Sequence, residues 1–245
     1  MKRSMLAVMA LVGFNYSFAA EGTQFDWGYA KQTAPAQWGK IKPEYQACEG
    51  VNQAPINIDQ TISAKLPALK LNYSSKADTI INNHRTVQIN FAAGNTLELD
   101  HKLFHLKQFH LHSPSENTIK GKSFAMEMHL VHATEQGELA VIAVMFDEGQ
   151  ENKKLKQLWK ELPKKAGNAV QLKHQDLAAA FLPEKLDYYR FNGSLTTPPC
   201  SEGVRWIVLK DIQQASKQQI KAFSSLLEHP NNRPVQPTNA RLVLE

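Results

Sequence analysis

Only two cysteines, Cys48 and Cys200, occur among 245 residues, and neither sits in a C-x-x-C spacing. A thiol redox motif and a cysteine zinc finger are therefore excluded. Glycine and proline number 12 each, too few for a collagen-like or low-complexity chain, and 42% hydrophobic residues are too many for disorder. No stretch supplies the roughly 20 consecutive apolar residues of a membrane-spanning helix, so a multi-span membrane protein is excluded as well. Nor is there a Lys/Arg run or an interleaving of basic and aromatic residues, so a formal charge of +5 gives no support for nucleic-acid binding. The length fits one large domain or two small ones, and no linker, repeat or composition shift divides it.

The N-terminus reads as an address. Met1-Lys2-Arg3 is a basic start, Met5 to Val12 is a short apolar run, and the small residues of Ser17-Phe18-Ala19-Ala20 follow. That order predicts a secretory signal peptide over residues 1–20, cut after Ala19 or Ala20. Loss of Lys2 and Arg3 leaves a net charge of +3 on residues 21–245, read as one domain. The expected location is periplasmic or secreted. An oxidising compartment favours pairing Cys48 with Cys200, two separate buried thiols being the alternative.

From about Ala77 to Phe146 the chain reads as strand after strand. Ile80-Ile81, Thr86 to Phe91, Thr96 to Leu99, Leu103 to His112, Phe124 to Ala133 and Leu139 to Phe146 alternate or carry β-branched residues. Turn residues separate them at Gly94-Asn95, Gly121 and Gly137. Helices are expected over 151–162, ending at Pro163, and over 216–228, opened by a Ser216-x-x-Gln219 capping box. The fold class is mostly β with peripheral helices (α+β), a single domain on a large, mainly antiparallel central sheet.

Nine histidines are present, and three have metal-ligand spacing. His110-Leu111-His112 is H-x-H within a strand, so both imidazoles leave one face. His129 lies in the next strand-like run, and pairing of the two runs brings it to the same place. Three imidazoles leave the fourth tetrahedral position open, the requirement of a catalytic rather than a structural zinc. Gln108 and Glu127 share a face with His110 and His129 and are placed to accept their second N–H. By strand parity His105 and His132 fall on the opposite face.

These segments resemble the α-class carbonic anhydrases. The likeness runs in order through Trp27-Gly28-Tyr29, Gln53 to Ile58, Gln108 to His112, Ser115-Glu116-Asn117, Glu127 to His132, Gly193 to Cys200, Val204 to Leu209 and Asn232 to Gln236. The signal peptide and the cysteine pair resemble exported bacterial members. The resemblance implies zinc-dependent reversible hydration of carbon dioxide, with hydroxide supplied at Zn2+ and weak ester hydrolysis as a side activity. It implies His110, His112 and His129 as ligands, Gln108 and Glu127 as their partners, and a main-chain carbonyl near Asn231 for His112. Thr196 resembles the gatekeeper hydroxyl that donates to Glu116, and Thr197 resembles a residue that places bicarbonate. Val131, Val141, Leu195, Val204 and Trp206 resemble the apolar wall for carbon dioxide, and Tyr29 a residue that holds the cavity's water. The partner is a small-molecule substrate, with a homodimer left open.

One departure concerns the proton. Where much of the family has Gly-His after two asparagines, this chain has Asn82-Asn83-His84-Arg85. Without a gap, Arg85 takes the shuttle position, and arginine cannot relay a proton. In a regular strand His84 then faces away, whereas a bulge or a one-residue gap returns it to the cavity mouth. A zinc-free binding module is disfavoured by the three intact histidines. A different zinc hydrolase is disfavoured by the absence of H-E-x-x-H and of a G-x-S-x-G elbow.

Overall fold

Alternating apolar residues let a strand bury one side, and a run apolar throughout buries both. The structure is a computed structural model and describes residues 26–173, 177–227 and 229–245. Its strands are β1 (Asn57–Ile58), β2 (Lys70–Tyr73), β3 (Ala77–Asn82), β4 (Val87–Phe91), β5 (Asn95–Leu99), β6 (Lys102–His112) and β7 (Thr118–Ile119). They continue as β8 (Met126–Ala133), β9 (Leu139–Glu148), β10 (Val170–Gln171), β11 (Tyr188–Ser194), β12 (Glu202–Leu209) and β13 (Gln213–Ala215). Three short α-helices are α1 (Trp38–Ile41), α2 (Lys153–Leu158) and α3 (Lys217–Ser224). The leader read at 1–20 lies outside the described residues.

Eleven strands form one sheet with the order β10-β3-β4-β6-β8-β9-β12-β11, while β2 and β5 extend beside β6 and β13 lies beside β9. Neighbours in it are antiparallel except β12 and β13, both parallel to β9. The sheet is thus mixed with an antiparallel majority. The parallel pairs follow from the long excursion between β9 and β12, since parallel neighbours need a crossover.

The two faces of the sheet bury different things. Phe109, Leu111, Met128 and Leu130 point into the main core, where Leu155 and Leu158 of α2 and Phe223 of α3 cover them. Alternation then sends His110, His112 and His129 to the other face, against a second apolar cluster that holds Val141, Val204 and Trp206.

Three expectations change. Residues 83–86 are a turn between β3 and β4, with His84 at φ 68°, so strand parity does not govern His84. Asparagines make that turn: Asn82 Oδ1 accepts from the His84 N–H, and Asn83 Oδ1 accepts from Arg85 and Thr86. In β6 the register shifts between Leu106 and Gln108, which reverses the parity of everything before it. His105 therefore shares the face of His110 but stands at the far end of the strand, partly exposed. Helix α2 is shorter than 151–162, because after Leu158 the chain tightens into i→i+3 bonds, Lys160 to Gln157 and Glu161 to Leu158. The Ser216–Gln219 capping box opens α3.

His132 remains on the core face, fully buried, with its Nε2 2.6 Å from the Tyr73 hydroxyl. Burial pushes its pKa down to about 4. An unfolded histidine titrates near 6.5, so stability is full above that pH and falls as pH drops toward 4, by on the order of 3 kcal/mol. His132→Gln keeps a hydrogen-bonding group and does not titrate. In metal-stripped protein, urea unfolding between pH 7 and 4.5 is expected to show a shallower loss for the variant. Parallel curves would refute the assignment.

Candidate metal centre and active site

Strands β6 and β8 pair in a register that sets His110 opposite His129 and His112 opposite Glu127. The same register brings three imidazoles together, and their ligand nitrogens all lie within 4.8 Å of one another. Each ring is fixed by an oxygen that only accepts. His110 Nδ1 donates to Gln108 Oε1 at 2.8 Å, His112 Nδ1 to the Asn231 carbonyl at 2.7 Å, and His129 Nε2 to Glu127 Oε1 at 2.8 Å. The proton of each neutral ring is thereby assigned, and the lone pairs of two Nε2 atoms and one Nδ1 are left facing inward.

Burial disfavours the charged forms. It pushes His110 down to about 3 and His112 well below the ordinary imidazole value, with the His129 charge adding to both. At His129 burial acts the same way, but Glu127 outweighs it and holds the group above its ordinary value. His112 Nε2 is buried without a hydrogen-bond partner among the described residues. An inward, unpartnered imidazole nitrogen in an all-nitrogen set of three fits a borderline-soft divalent cation such as zinc.

Glu127 is fully buried and saturated. Its Oε2 accepts from the Glu116 and Asn117 N–H groups at 2.7 and 2.8 Å, and its Oε1 from Asn117 Nδ2 at 2.7 Å besides His129. Four donors make a buried carboxylate tolerable. Glu116 is buried beside the histidines, with Oε2 3.4 Å from His112 Nε2 and 3.8 Å from His129 Nδ1. Burial raises its pKa to about 7, opposed by the His129 charge and by the Arg233 N–H and the Thr196 hydroxyl beside the carboxyl.

The apolar residues close around this point. The Trp206 and His129 rings stand nearly perpendicular with centroids 4.9 Å apart, Trp206 Nε1 donates to the Ser194 carbonyl, and Val141 and Val204 are buried beside it. Val131 and Leu195 are partly buried against the same cluster. Thr196 is buried and Thr197 partly exposed at the end of β11. Tyr29 packs against Trp27 and Trp38, and burial followed by the Glu116 charge raises its pKa. His84 is exposed in its turn, while Arg85 stacks 3.7 Å over the Trp27 ring and donates to the Trp27 carbonyl at 3.0 Å.

Cys48 and Cys200 form a disulfide across 152 residues of sequence. Closing so long a loop contributes roughly 5 kcal/mol in the chain-entropy treatment. The bond ties the segment after Thr196 and Thr197 to the N-terminal part of the chain. Sequence reasoning gave no role to what surrounds it. The Arg233 guanidinium donates to Gln53 Oε1, the Ala54 carbonyl and the Cys48 carbonyl, each at 2.8 Å, while its main-chain N–H donates to Glu116 Oε1 at 2.8 Å. Ser194 Oγ accepts from the Ala54 N–H at 2.9 Å. These groups join distant segments, so only their place in the resembling motifs marked them.

Sheet-borne histidines with inward lone pairs, a neighbouring carboxyl–hydroxyl pair and an apolar wall define a metal-centred enzyme site of the three-histidine class. Residues 33–245 match the sequence model described as eukaryotic-type carbonic anhydrase. A carbonic anhydrase of Pectobacterium carotovorum is 48% identical over 93% of this chain and 94% of its own length. One of Neisseria gonorrhoeae is 44% identical over 98% and 96%. Among solved structures, the α-carbonic anhydrase of Thermovibrio ammonificans in complex with sulfanilamide aligns with a TM-score of 0.87 at 42% identity, over 89% of this chain and 98% of that one. The Photobacterium profundum α-carbonic anhydrase gives 0.85 at 48%, over 89% and 100%. The chain belongs to the α-carbonic anhydrase family, the enzymes of reversible carbon dioxide hydration.

Proposed function

We propose that this chain catalyses the zinc-dependent, reversible hydration of carbon dioxide to bicarbonate and a proton. The observation that carries the reading is the set of three acceptor-anchored histidines, lone pairs inward, beside Glu116 and Thr196. His110, His112 and His129 would hold the zinc. Zinc bound there acts as a Lewis acid that brings the pKa of its water to about 7, a value taken from the carbonic anhydrases as a class.

The chain's own residues do the rest. Gln108, Glu127 and the Asn231 carbonyl fix which nitrogen of each ring carries the proton and keep the rings correctly turned. Thr196 gives its proton to Glu116, so at the centre its oxygen accepts; it orients a nucleophile that carries hydrogen and disfavours a ligand that has none. Val131, Val141, Leu195, Val204 and Trp206 offer an uncharged linear substrate a surface that demands no hydrogen bond. Thr197 positions bicarbonate, and Tyr29 orders water. Weak hydrolysis of activated esters accompanies the main reaction. Residues 1–20 act as an export signal, and 21–245 form the catalytic domain, in keeping with the disulfide. Among the described residues no helix is long and apolar enough to cross a membrane. Stopped-flow hydration with and without a zinc chelator tests the reading: activity is expected to vanish on stripping and return with zinc. Activity untouched by complete metal removal would refute it.

Proton export is the weak step. Arg85 is pinned on Trp27, and His84 stands exposed in a left-handed turn that a glycine would also fit. Turnover is therefore expected to depend steeply on buffer concentration. His84→Ala should change it less than about twofold in dilute buffer, whereas Arg85→His combined with His84→Gly should raise it about tenfold, an imidazole near pKa 6.5 suiting the transfer. A large loss in His84→Ala that added imidazole restores would instead make His84 the shuttle.

A further inference from the structure

The lysines of this chain are scattered in ones and twos along the sequence, and folding gathers nine of them. Helix α2, its tail and β10 carry Lys153, Lys154, Lys156, Lys160, Lys164, Lys165 and Lys173, and α3 adds Lys217 and Lys221. All nine are exposed. The two helices are neighbours: Trp159 Nε1 donates to the Gln219 carbonyl at 2.8 Å, Gln219 Nε2 donates to the Asn152 carbonyl, and Trp159 packs on Phe223. Between them lies an open cleft of about 260 Å³, walled by Glu151, Lys156, Lys160 and Trp159 on one side and Ser216, Gln218 and Gln219 on the other.

The charge is unevenly divided. Residues 151–173 and 216–227 hold these nine lysines against Glu151 and Glu161, a net +7. The remainder of residues 21–245 holds 17 Lys and Arg against 21 Asp and Glu, a net −4. These two segments therefore carry a net positive charge and the remainder of 21–245 a net negative one. Among the described residues only Lys156 of the nine has a carboxylate within ion-pair distance, Glu151 at 2.9 Å. Asp78, whose carbonyl accepts from the Leu172 N–H, and Glu148, paired with Ala215, are exposed acids at the border of the lysine surface. On the solvent side of α2 and the turn that follows it, Lys153, Lys156 and Lys160 stand at i, i+3 and i+7, opposite the buried Leu155 and Leu158. Partly exposed Trp159 and the exposed Val170 on the sheet-edge strand add apolar area among the cations.

We propose that this lysine surface docks the enzyme on an anionic, phosphate-bearing membrane face. Clustered lysines attract such a face individually weakly and jointly strongly, and an aromatic among them suits the headgroup layer. The orientation leaves the chemistry accessible. Helices α2 and α3 cover the sheet face opposite the histidines, so the metal centre points away from the docked surface. An acidic soluble protein is the competing occupant, and the negative remainder of the chain makes a second copy a third.

Vesicle co-sedimentation of the mature enzyme tests this, with phosphatidylcholine vesicles alone and with phosphatidylglycerol at 30% as probes. Binding is expected to the anionic vesicles only, and to fall steeply between 50 and 300 mM salt. Lys153, Lys156 and Lys160→Glu should weaken it about a hundredfold, at roughly fivefold or more per lysine. The same change at Lys40, Lys65 and Lys107, exposed lysines elsewhere, should weaken it far less. Hydration of carbon dioxide in free solution should be unchanged in both variants, which also shows that both fold. Absence of binding to anionic vesicles, or equal loss in the two variants, overturns the proposal. Binding to soluble polyglutamate without binding to vesicles, or dimerisation abolished by the first variant alone, overturns the choice of a membrane.

Discussion

His129→Ala is expected to release the metal and abolish hydration, with zinc falling from one per chain to near zero and turnover by more than about a thousandfold. His129 supplies the single Nδ1 among the three inward nitrogens. Two imidazoles two residues apart on one strand hold a divalent cation poorly, because the third ligand closes the tetrahedral face. The loss is compounded by Glu127. Deleting the ring leaves that buried carboxylate with its three remaining donors and a void beside Trp206, whose ring stands nearly perpendicular to that of His129. Plasma emission analysis of dialysed protein, together with stopped-flow hydration, measures both effects. Full retention of zinc and activity would remove His129 from the metal site.

A graded comparison separates ligand from support. Glu127→Gln keeps the size of the side chain and weakens only the acceptor for His129. Loss of such a partner typically costs 10- to 100-fold in metal affinity or activity, well short of ligand removal. That ordering is what the geometry requires.

The clustering of the three histidines was legible because strand geometry is local. H-x-H fixes two side chains on one face, and Gln108 and Glu127 fall on the faces of their histidines by the same rule. His129 needed one further fact, that β6 and β8 are neighbours, and turn residues around Gly121 already suggested it. What was hidden depends on contacts between distant segments. The bulge in β6 places His105 on the wrong side of any parity count. The turn at 83–86 exists because two asparagine side chains cap it, and Arg85 is held by Trp27, 58 residues away in sequence. Arg233 joins Cys48, Gln53, Ala54 and Glu116 in one buried hub that no spacing announces. The lysine surface was invisible for the same reason, since α3 contributes to it only after folding.

Thr196→Ala is the second large effect, and it should separate orientation from metal binding. Thr196 is buried beside Glu116, whose Oε1 accepts from the Arg233 N–H. No metal ligand depends on its hydroxyl, so the variant should keep one zinc per chain. What it loses is a fixed acceptor that aligns the nucleophile and rejects ligands without a hydrogen. Removing one such preorganised hydrogen bond costs about 10²- to 10³-fold in turnover. Thr196→Ser retains the hydroxyl and should recover most of the rate, a rescue that a role in packing through the methyl would not give, because serine lacks that methyl as alanine does. Anions without a proton should bind the alanine variant more tightly, which inhibition by azide or thiocyanate reads directly. Near-normal turnover in Thr196→Ala, or equal failure of the serine variant, would place the gate on another residue.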